Sequence, residues 1–454
     1  MPTAIPEKDS RKRVALLAIL VAAPPILFFA LLQRFQVNIP VWDDYDALLS
    51  FANDIALSKG FKARFLLLLA SQHTEYKIFF ADAVAWAQLG LTGHLNFAYI
   101  CVLGNSAVFL VALVLWWQFL PGERNLARRL AYFVPVSWLL FQFEYSESLN
   151  WAVAGLQNLW VVAAAIGAIA CLLRPSRKSF ACALVLYALA TGALGNGFLL
   201  LPVGLLIMAT RRQLARALIW LFVSAICIGA YAYNYNVMMS QSQPHSSVFA
   251  VLLHLNLVYV LAFVGNAGAI AGGLRASLVL SMSLGAVLLI LFGWLVRHGY
   301  CNRNPFVACC VLFLLLTALG VAGIRSDFGI EQSMSSRYTV YGILLVIFAW
   351  TAVSEEYLLP QSQSRRSINA LRTMTVLSVM FSLLADVRGY RSLSKRERES
   401  VQGMVAFEHS MPGASDGPIL REDNEPADAT AFRKYSREVL IESIQLGVYD
   451  PPKL

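Results

Sequence analysis

Long apolar segments recur along the chain, and they limit its fold more than any other feature. The first two, residues 14–35 and 97–120, are each as long as the roughly 20-residue helix that crosses a bilayer. Hydrophobic residues make up 58% of the chain and charged residues only 14%, whereas soluble domains carry about 25% charged residues. We therefore expect an all-α polytopic membrane protein.

The apolar pattern predicts about 11 transmembrane helices. After the first two, the predicted spans are residues 130–141, 153–173, 180–191, 198–209, 218–233, 277–296, 306–323, 340–354 and 374–385. Several are short or interrupted by glycine, which indicates helices that stop partway and border a cavity. Residues 248–263 are also short and run into a glycine-containing segment, so we interpret them as re-entrant or interfacial.

Basic clusters follow alternate spans, as the positive-inside rule predicts for cytoplasmic turns. They precede the first span and recur near residues 124–129, 174–178 and 211–216. The N-terminus is therefore predicted to be cytoplasmic, and residues 37–95 form a long first exoplasmic loop. The same count places residues 325–338 and the C-terminal tail outside. The basic run at residues 388–398 opposes an outside tail, because basic residues favour the cytoplasmic side. If residues 248–263 cross the membrane, the tail and Arg337 are cytoplasmic.

The chain is predicted to divide into a transmembrane domain, residues 1–386, and a small C-terminal tail, residues 387–454. The tail ends in an amphipathic helix near residues 429–446 and is too small for an independent domain. Most other Lys and Arg residues lie between apolar runs, so the net charge of +9 indicates membrane topology and no nucleic-acid partner. The cysteines show neither zinc-site nor disulfide spacing.

Three carboxylates are concentrated in residues 41–46, Val-Trp-Asp-Asp-Tyr-Asp, where the first span meets the first loop. Carboxylates are costly in hydrocarbon, so such a cluster at a membrane boundary indicates a functional site. The alternative is a solvated first helical turn, in which Asp43 and Asp44 lie near the positive N-terminus.

Further charged residues are predicted on the same face, namely His73, Glu75, Lys77, Glu144, Glu147, Arg325, Asp327, Glu331 and Arg337. Carboxylates with nearby cations suit glycosyl transfer from a lipid phosphate, because a carboxylate accepts the acceptor proton and a cation stabilises the departing phosphate. The alternatives are an exposed Glu75–Lys77 ion pair, a solvated loop, and a snorkelling anchor at Arg337.

Three features resemble the GT-C superfamily of integral-membrane glycosyltransferases, and the likeness covers most of residues 1–386. They are the acidic residues 42–46, the broken helix pairs, and Arg337-Tyr338 before a late span. Bacterial members carry an Asn-Glu-His-Arg-like element, here Thr74-Glu75-Tyr76-Lys77, and a Trp-x-x-x-x-x-Gln element, here Trp151 to Gln157. Lys77 keeps the positive charge of the arginine but cannot bind phosphate bidentately.

The resemblance implies an inverting glycosyltransferase that moves a sugar from a polyprenyl-phosphate donor, such as an undecaprenyl-phosphate sugar, to a cell-envelope glycan, lipid or protein. It implies a multi-pass protein of the bacterial inner membrane, with the first-loop acid as general base or metal ligand. A divalent metal such as Mg²⁺ or Mn²⁺ is an open expectation. The predicted catalytic residues are Asp44, Asp43 and Glu75. The predicted substrate-binding residues are Lys77, Glu144, Glu147, Gln157, Arg325, Arg337 and Tyr338.

Two other functions stay open at this point. A transporter or flippase of lipid-linked glycans would also use broken helices, but it should show repeated halves, and no clear repeat is present. An O-antigen-polymerase-like protein would carry its arginines in a large late loop, whereas the longest loop here is the first. No sequence feature identifies the sugar, the acceptor or the oligomeric state.

Overall fold

A computed structural model describes residues 7–74, 76–236, 257–362, 364–409 and 429–452. Within these ranges every regular element is a helix and no strand forms, which confirms the all-α class. The main helices are α1 (Glu7–Leu32), α2 (Ser50–Leu57), α3 (Phe61–Ala70), α4 (Phe79–Thr92), α5 (Phe97–Gln118), α6 (Leu126–Leu140), α7 (Trp160–Leu172), α8 (Arg177–Ala193), α9 (Leu200–Thr210), α10 (Leu214–Ala232), α11 (Leu257–Val264), α12 (Leu274–Arg297), α13 (Pro305–Arg325), α14 (Thr339–Val353), α15 (Arg365–His409) and α16 (Ala429–Gln445).

Eight helical segments in the described ranges are long and apolar enough to cross a membrane, so the protein is polytopic. They are Arg11–Phe35, Phe97–Gln118, Ala152–Leu172, Leu214–Ala232, Leu274–Arg297, Pro305–Phe328, Ser336–Leu358 and Arg365–Phe407. Three further predicted spans form α6, α8 and α9, which have 15, 17 and 11 residues. These three are shorter than the roughly 20 residues of a full crossing.

Contacts between helix ends define a site end of the bundle, which contains residues 41–46. There the Tyr231 hydroxyl, at the end of α10, accepts a hydrogen bond from the backbone N–H of Lys77 in the first loop at 3.2 Å. Asn196 Nδ2 donates to the Tyr341 hydroxyl at 3.2 Å. These two contacts place the first loop, the loop after α8, the end of α10 and the start of α14 at the site end.

The opposite end, here the basic end, contains Arg128 and Arg129. Arg211 Nη1 donates to the Leu173 carbonyl at 2.6 Å, which joins the α7–α8 turn to the α9–α10 turn. Asn304 Nδ2 donates to Glu355 at 2.8 Å and 3.0 Å. These contacts place the turns after α7, α9, α12 and α14 at the basic end.

The segment predicted as re-entrant is described from residue 257 onward; its earlier part lies outside the described residues. α11 has eight residues and leads into a 3-10 helix, Asn266–Ala271. Asn266 Nδ2 donates to the Tyr338 carbonyl at 2.9 Å. A Cβ on Gly265 would lie 2.0 Å from the Ser281 carbonyl oxygen, so α11 and α12 approach closely only because this residue is glycine.

α15 runs without interruption for 45 residues and passes position 386, where the sequence predicts the tail to begin. Its sequence after that point is rich in Arg, Lys, Glu and Ser, of which the long charged residues favour helix. A Cβ on Gly389 would lie 2.2 Å from the Phe143 carbonyl oxygen, so the helix packs tightly there. The tail helix predicted near residues 429–446 is α16.

Candidate functional site

The acidic stretch, residues 41–46, runs into a π-helical turn, Asp44–Leu49, at the site end. Trp42 precedes it with a backbone φ of 48°, a left-handed conformation that is uncommon for a non-glycine residue. Thr74, in the turn between the bridged residues His73 and Tyr76, also has a φ of 48°. Strained backbone tends to persist at functional sites, where surrounding contacts hold it.

His73 lies between Asp43 and Asp46 and joins two parts of the first loop. Its Nδ1 is 2.8 Å from Asp46 Oδ2, and its Nε2 is 3.3 Å from Asp43 Oδ2. The imidazole is buried, whereas the side chains of Asp43 and Asp46 are 36% and 37% exposed. Burial lowers the pKa of His73, but the two carboxylates outweigh burial and raise the pKa to about 10. The ring is therefore a cation at neutral pH.

Asp46 is held from two sides. His73 contacts one carboxylate oxygen, and the Tyr435 hydroxyl on α16 donates to the other, Oδ1, at 3.0 Å. The hydrogen bond from His73 lowers the pKa of Asp46 and exceeds the opposing effect of burial. Asp46 is thus an ionised carboxylate that orients the imidazole.

Asp44 points away from this cluster and into the protein. Its Oδ1 accepts a hydrogen bond from the Val153 N–H at 2.9 Å, and its Oδ2 accepts from Val41 at 3.0 Å and Ala152 at 3.4 Å. The side chain is buried, and burial raises the pKa of Asp44 to about 7 despite these hydrogen bonds. The carboxylate caps the start of the span Ala152–Leu172, as an N-cap residue does for its own helix. Its predicted catalytic role stays a prediction.

Two tryptophans and two arginines form a row beside the acidic cluster. The rings of Trp42 and Trp151 meet edge to face, with centroids 4.9 Å apart. The Arg396 guanidinium lies 5.2 Å from the Trp42 ring, and that of Arg337 lies 5.7 Å from the Trp151 ring. Cations over indole faces are attracted by the ring quadrupole. The row brings the first loop, the loop before α7, the loop before α14, and α15 together.

Glu147 and Arg337 lie together, as the sequence predicted for one face. Glu147 Oε2 accepts hydrogen bonds from Ser335 Oγ at 2.8 Å and from the Arg337 backbone N–H at 3.3 Å. The Glu147 N–H donates to Ser336 Oγ at 3.0 Å. Arg337 Nη2 donates to Gln332 Oε1 at 3.2 Å. Glu147 therefore fixes the loop that carries Arg337.

Glu144 lies deeper than Glu147 and contacts a different arginine. Its Oε1 is 3.3 Å from Arg388 Nη1 on α15, which also donates to the Ala269 carbonyl. Burial raises the pKa of Glu144 to about 7, although Arg388 lowers it. The pair links α15 to the loop before α7 and to the segment after α11.

Lys77 is fully buried, and its ammonium group donates to the carbonyls of Leu69 and Tyr233. Burial lowers the pKa of Lys77, whereas the nearby Asp82 raises it. Asp82 is also buried, and burial raises its pKa to about 7. Lys77 thus joins the first loop to the end of α10 and does not face an open surface.

The remaining predicted residues are spread along the site end. Gln157 is buried in a π-helical turn, Gly155–Leu159. The Arg325 guanidinium lies 5.2 Å from the Phe328 ring, and the Tyr338 ring packs 5.5 Å from that of Phe263. Glu75 lies outside the described residues.

Reasoning from sequence missed the roles of several site residues. The sequence pattern places His73 only among the charged residues predicted on one face, and the arginines of residues 388–398 bear there only on topology. Trp42 was quoted only as part of the acidic stretch. The available signal was the position of His73 one residue before the Thr74–Lys77 element. The contact partners of Arg396, Arg388 and Tyr435 are too far along the chain to be found by spacing.

Within the part of the chain that the structure describes, no group of three or more His, Cys, Asp or Glu side chains could hold a metal ion. The expectation of Mg²⁺ or Mn²⁺ therefore stays a prediction. Comparison with models of known protein families and with curated proteins finds no match to this chain.

Proposed function

We propose that this protein is an inverting membrane glycosyltransferase of the GT-C type, with about 11 transmembrane helices and its site on the exoplasmic face. The donor is a polyprenyl-phosphate sugar, and the acceptor is a cell-envelope glycan, lipid or protein. The observation that carries this proposal is the pairing of a half-exposed acid, Asp43, with the row of Trp42, Trp151, Arg337 and Arg396. A base for the acceptor proton and a cation for the departing phosphate are the groups that this transfer needs.

In the proposed reaction the acceptor hydroxyl attacks the anomeric carbon and gives its proton to Asp43. The bond between the anomeric carbon and the phosphate oxygen breaks, and polyprenyl phosphate leaves with the electron pair. Arg337 stabilises the phosphate charge, since a guanidinium group suits phosphate geometry. The buried Arg396 donates to the Ser146 carbonyl and to Asn150 Oδ1 and holds Trp42 in place. His73 and Asp46 hold Asp43 in place.

The tryptophan pair supports binding of a polar ligand beside the acid. The Trp151 indole N–H is buried and has no hydrogen-bond partner among the described residues, although a buried indole N–H usually has one. A sugar hydroxyl or a phosphate oxygen of the donor would accept this hydrogen bond. The partly buried Trp42 ring supplies apolar surface against which a sugar ring packs.

The donor class can be tested with purified protein in detergent or vesicles. We expect sugar transfer from a panel of undecaprenyl-phosphate hexoses and pentoses to an envelope extract, and none from nucleotide sugars alone. Arg337→Ala should weaken binding of undecaprenyl phosphate, while Arg398→Ala, at an exposed position of α15, should leave it near wild type. Activity with a nucleotide sugar as the sole donor would contradict the proposal, and translocation of a lipid-linked glycan without transfer would favour a flippase.

A further inference from the structure

The C-terminal segment of the described chain is bound to the first loop through several separate contacts. Asn53 Nδ2 of α2 donates to the Val439 carbonyl at 3.4 Å and to Glu442 at 3.3 Å. The Leu95 N–H donates to the Val448 carbonyl at 2.7 Å. These contacts fix α16 and the residues after it against the loop that carries the acidic cluster.

Apolar packing continues this interface. Leu440 of α16 is buried in one cluster with Tyr45 and Ile39 of the first loop and with Met404 and Phe407 of α15. Only about 10 Å³ of cavity remains between these side chains. Because the interface is closely packed, the position of α16 relative to residues 41–46 is well defined.

One side chain of α16 reaches the acidic cluster itself. The Tyr435 hydroxyl donates to Asp46 Oδ1 at 3.0 Å and lies 3.3 Å from Ser50 Oγ. The other carboxylate oxygen of Asp46 contacts His73 Nδ1, and His73 Nε2 faces Asp43. A line of contacts therefore runs from the C-terminal helix through Asp46 and His73 to the half-exposed acid.

We propose that Tyr435 is a positioning residue of this site: its hydroxyl holds Asp46 so that His73 fixes Asp43. The C-terminal helix is then a constituent of the site and not only a surface tail. Its part in transfer rests on the proposed function, whereas its effect on the orientation of His73 does not. A hydrogen bond to a charged group is among the stronger ones in proteins, so its loss should loosen the whole line.

The test compares Tyr435→Phe with Tyr449→Phe in the full-length protein. The Tyr449 hydroxyl also ties this segment to the first loop, but it donates to the Asn38 carbonyl at 2.6 Å, and its ring packs against Phe97. The probe is diethyl pyrocarbonate, and peptide mass spectrometry follows modification of each histidine. We expect His73 to react about tenfold faster in Tyr435→Phe and at the wild-type rate in Tyr449→Phe, with exposed His298 as internal reference.

Transfer activity gives the second measurement. Tyr435→Phe should lower kcat about tenfold with KM for the lipid donor unchanged, and Tyr449→Phe should change neither. Equal His73 reactivity in wild type and Tyr435→Phe, or an equal rise in both variants, would overturn the assignment of Tyr435. If the wild-type protein transfers no sugar but His73 responds as expected, the proposed function fails and the positioning by Tyr435 stands.

Discussion

Asp44 and Asp43 are neighbours in sequence but have different surroundings. Asp44 is buried with three backbone donors, while Asp43 is half-exposed beside His73. In Asp44→Asn an amide N–H₂ replaces one acceptor oxygen and faces backbone donors. We expect a loss of about 1–3 kcal/mol in the free energy of unfolding, measured by thermal melting at pH 8. A variant as stable as wild type but wholly inactive would instead give the base role to Asp44.

His73 predicts a pH dependence of stability. Its pKa of about 10 lies above its ordinary value of 6.5, so its stabilising effect is complete below pH 6.5 and is lost as pH rises towards 10. The pKa values of Asp44 and Glu144 are raised to about 7. Ionisation of these two acids therefore lowers the stability as pH rises towards 7 and adds no slope well above it. We expect the melting temperature to fall between pH 7 and 10, and His73→Gln to flatten that slope. An unchanged slope in the variant would contradict the pairing.

At the scale of single elements, α3 has an unusual environment. None of its ten residues is buried, and Phe61 is 73% exposed. A largely apolar helix that is too short to span the membrane, carries Lys62 and Arg64 near its start and follows Lys59 suits the lipid interface. A spin label at Phe65→Cys in vesicles should therefore collide more with oxygen than with a polar nickel reagent. A label at Asp54→Cys, exposed on α2, should show the reverse; equal water access at both would place α3 in solvent.

The element pattern was predictable from sequence to different degrees. The apolar segments predicted most helices, because burial in lipid requires one long apolar run for each crossing. The unbroken course of α15 was not predicted, because its second half is polar and is stabilised by distant partners such as Ser146 and Asn150, which Arg396 contacts. The acidic cluster was predicted from its charge density. The sequence did not predict which of the acids faces inward, because that depends on where the backbone N–H groups of Ala152 and Val153 lie.

At the scale of the whole molecule, the basic residues of α15 bear on topology. Arg388 and Arg396 contact Glu144 and Ser146 at the site end, so they can be explained as partners of the site loops and need not mark the cytoplasmic side. We expect a membrane-impermeant maleimide added to intact cells to label cysteines placed at Lys59, Asp327 and Asp450.

A cysteine at Arg124, at the basic end, is the matched control and should react only after the cells are permeabilised. Labelling of the Lys59 and Asp327 positions from opposite sides would contradict the shared site end. Labelling of the Arg124 position in intact cells would reverse the predicted orientation.

In the proposed reaction Asp43 is the base in sugar transfer from a polyprenyl phosphate, and a single measurement can show this role. It is the rate at which undecaprenyl phosphate is released from its sugar by wild type, Asp43→Asn and the exposed control Asp327→Asn, at matched protein levels. Loss of general-base assistance costs about 10² to 10⁴ in rate, so we predict a fall of that size in Asp43→Asn and a near wild-type rate in the control. The variant should still fold, with a melting temperature lowered only by the loss of one of the two carboxylates beside His73. A well-folded Asp43→Asn protein that releases undecaprenyl phosphate at the wild-type rate would contradict the claim.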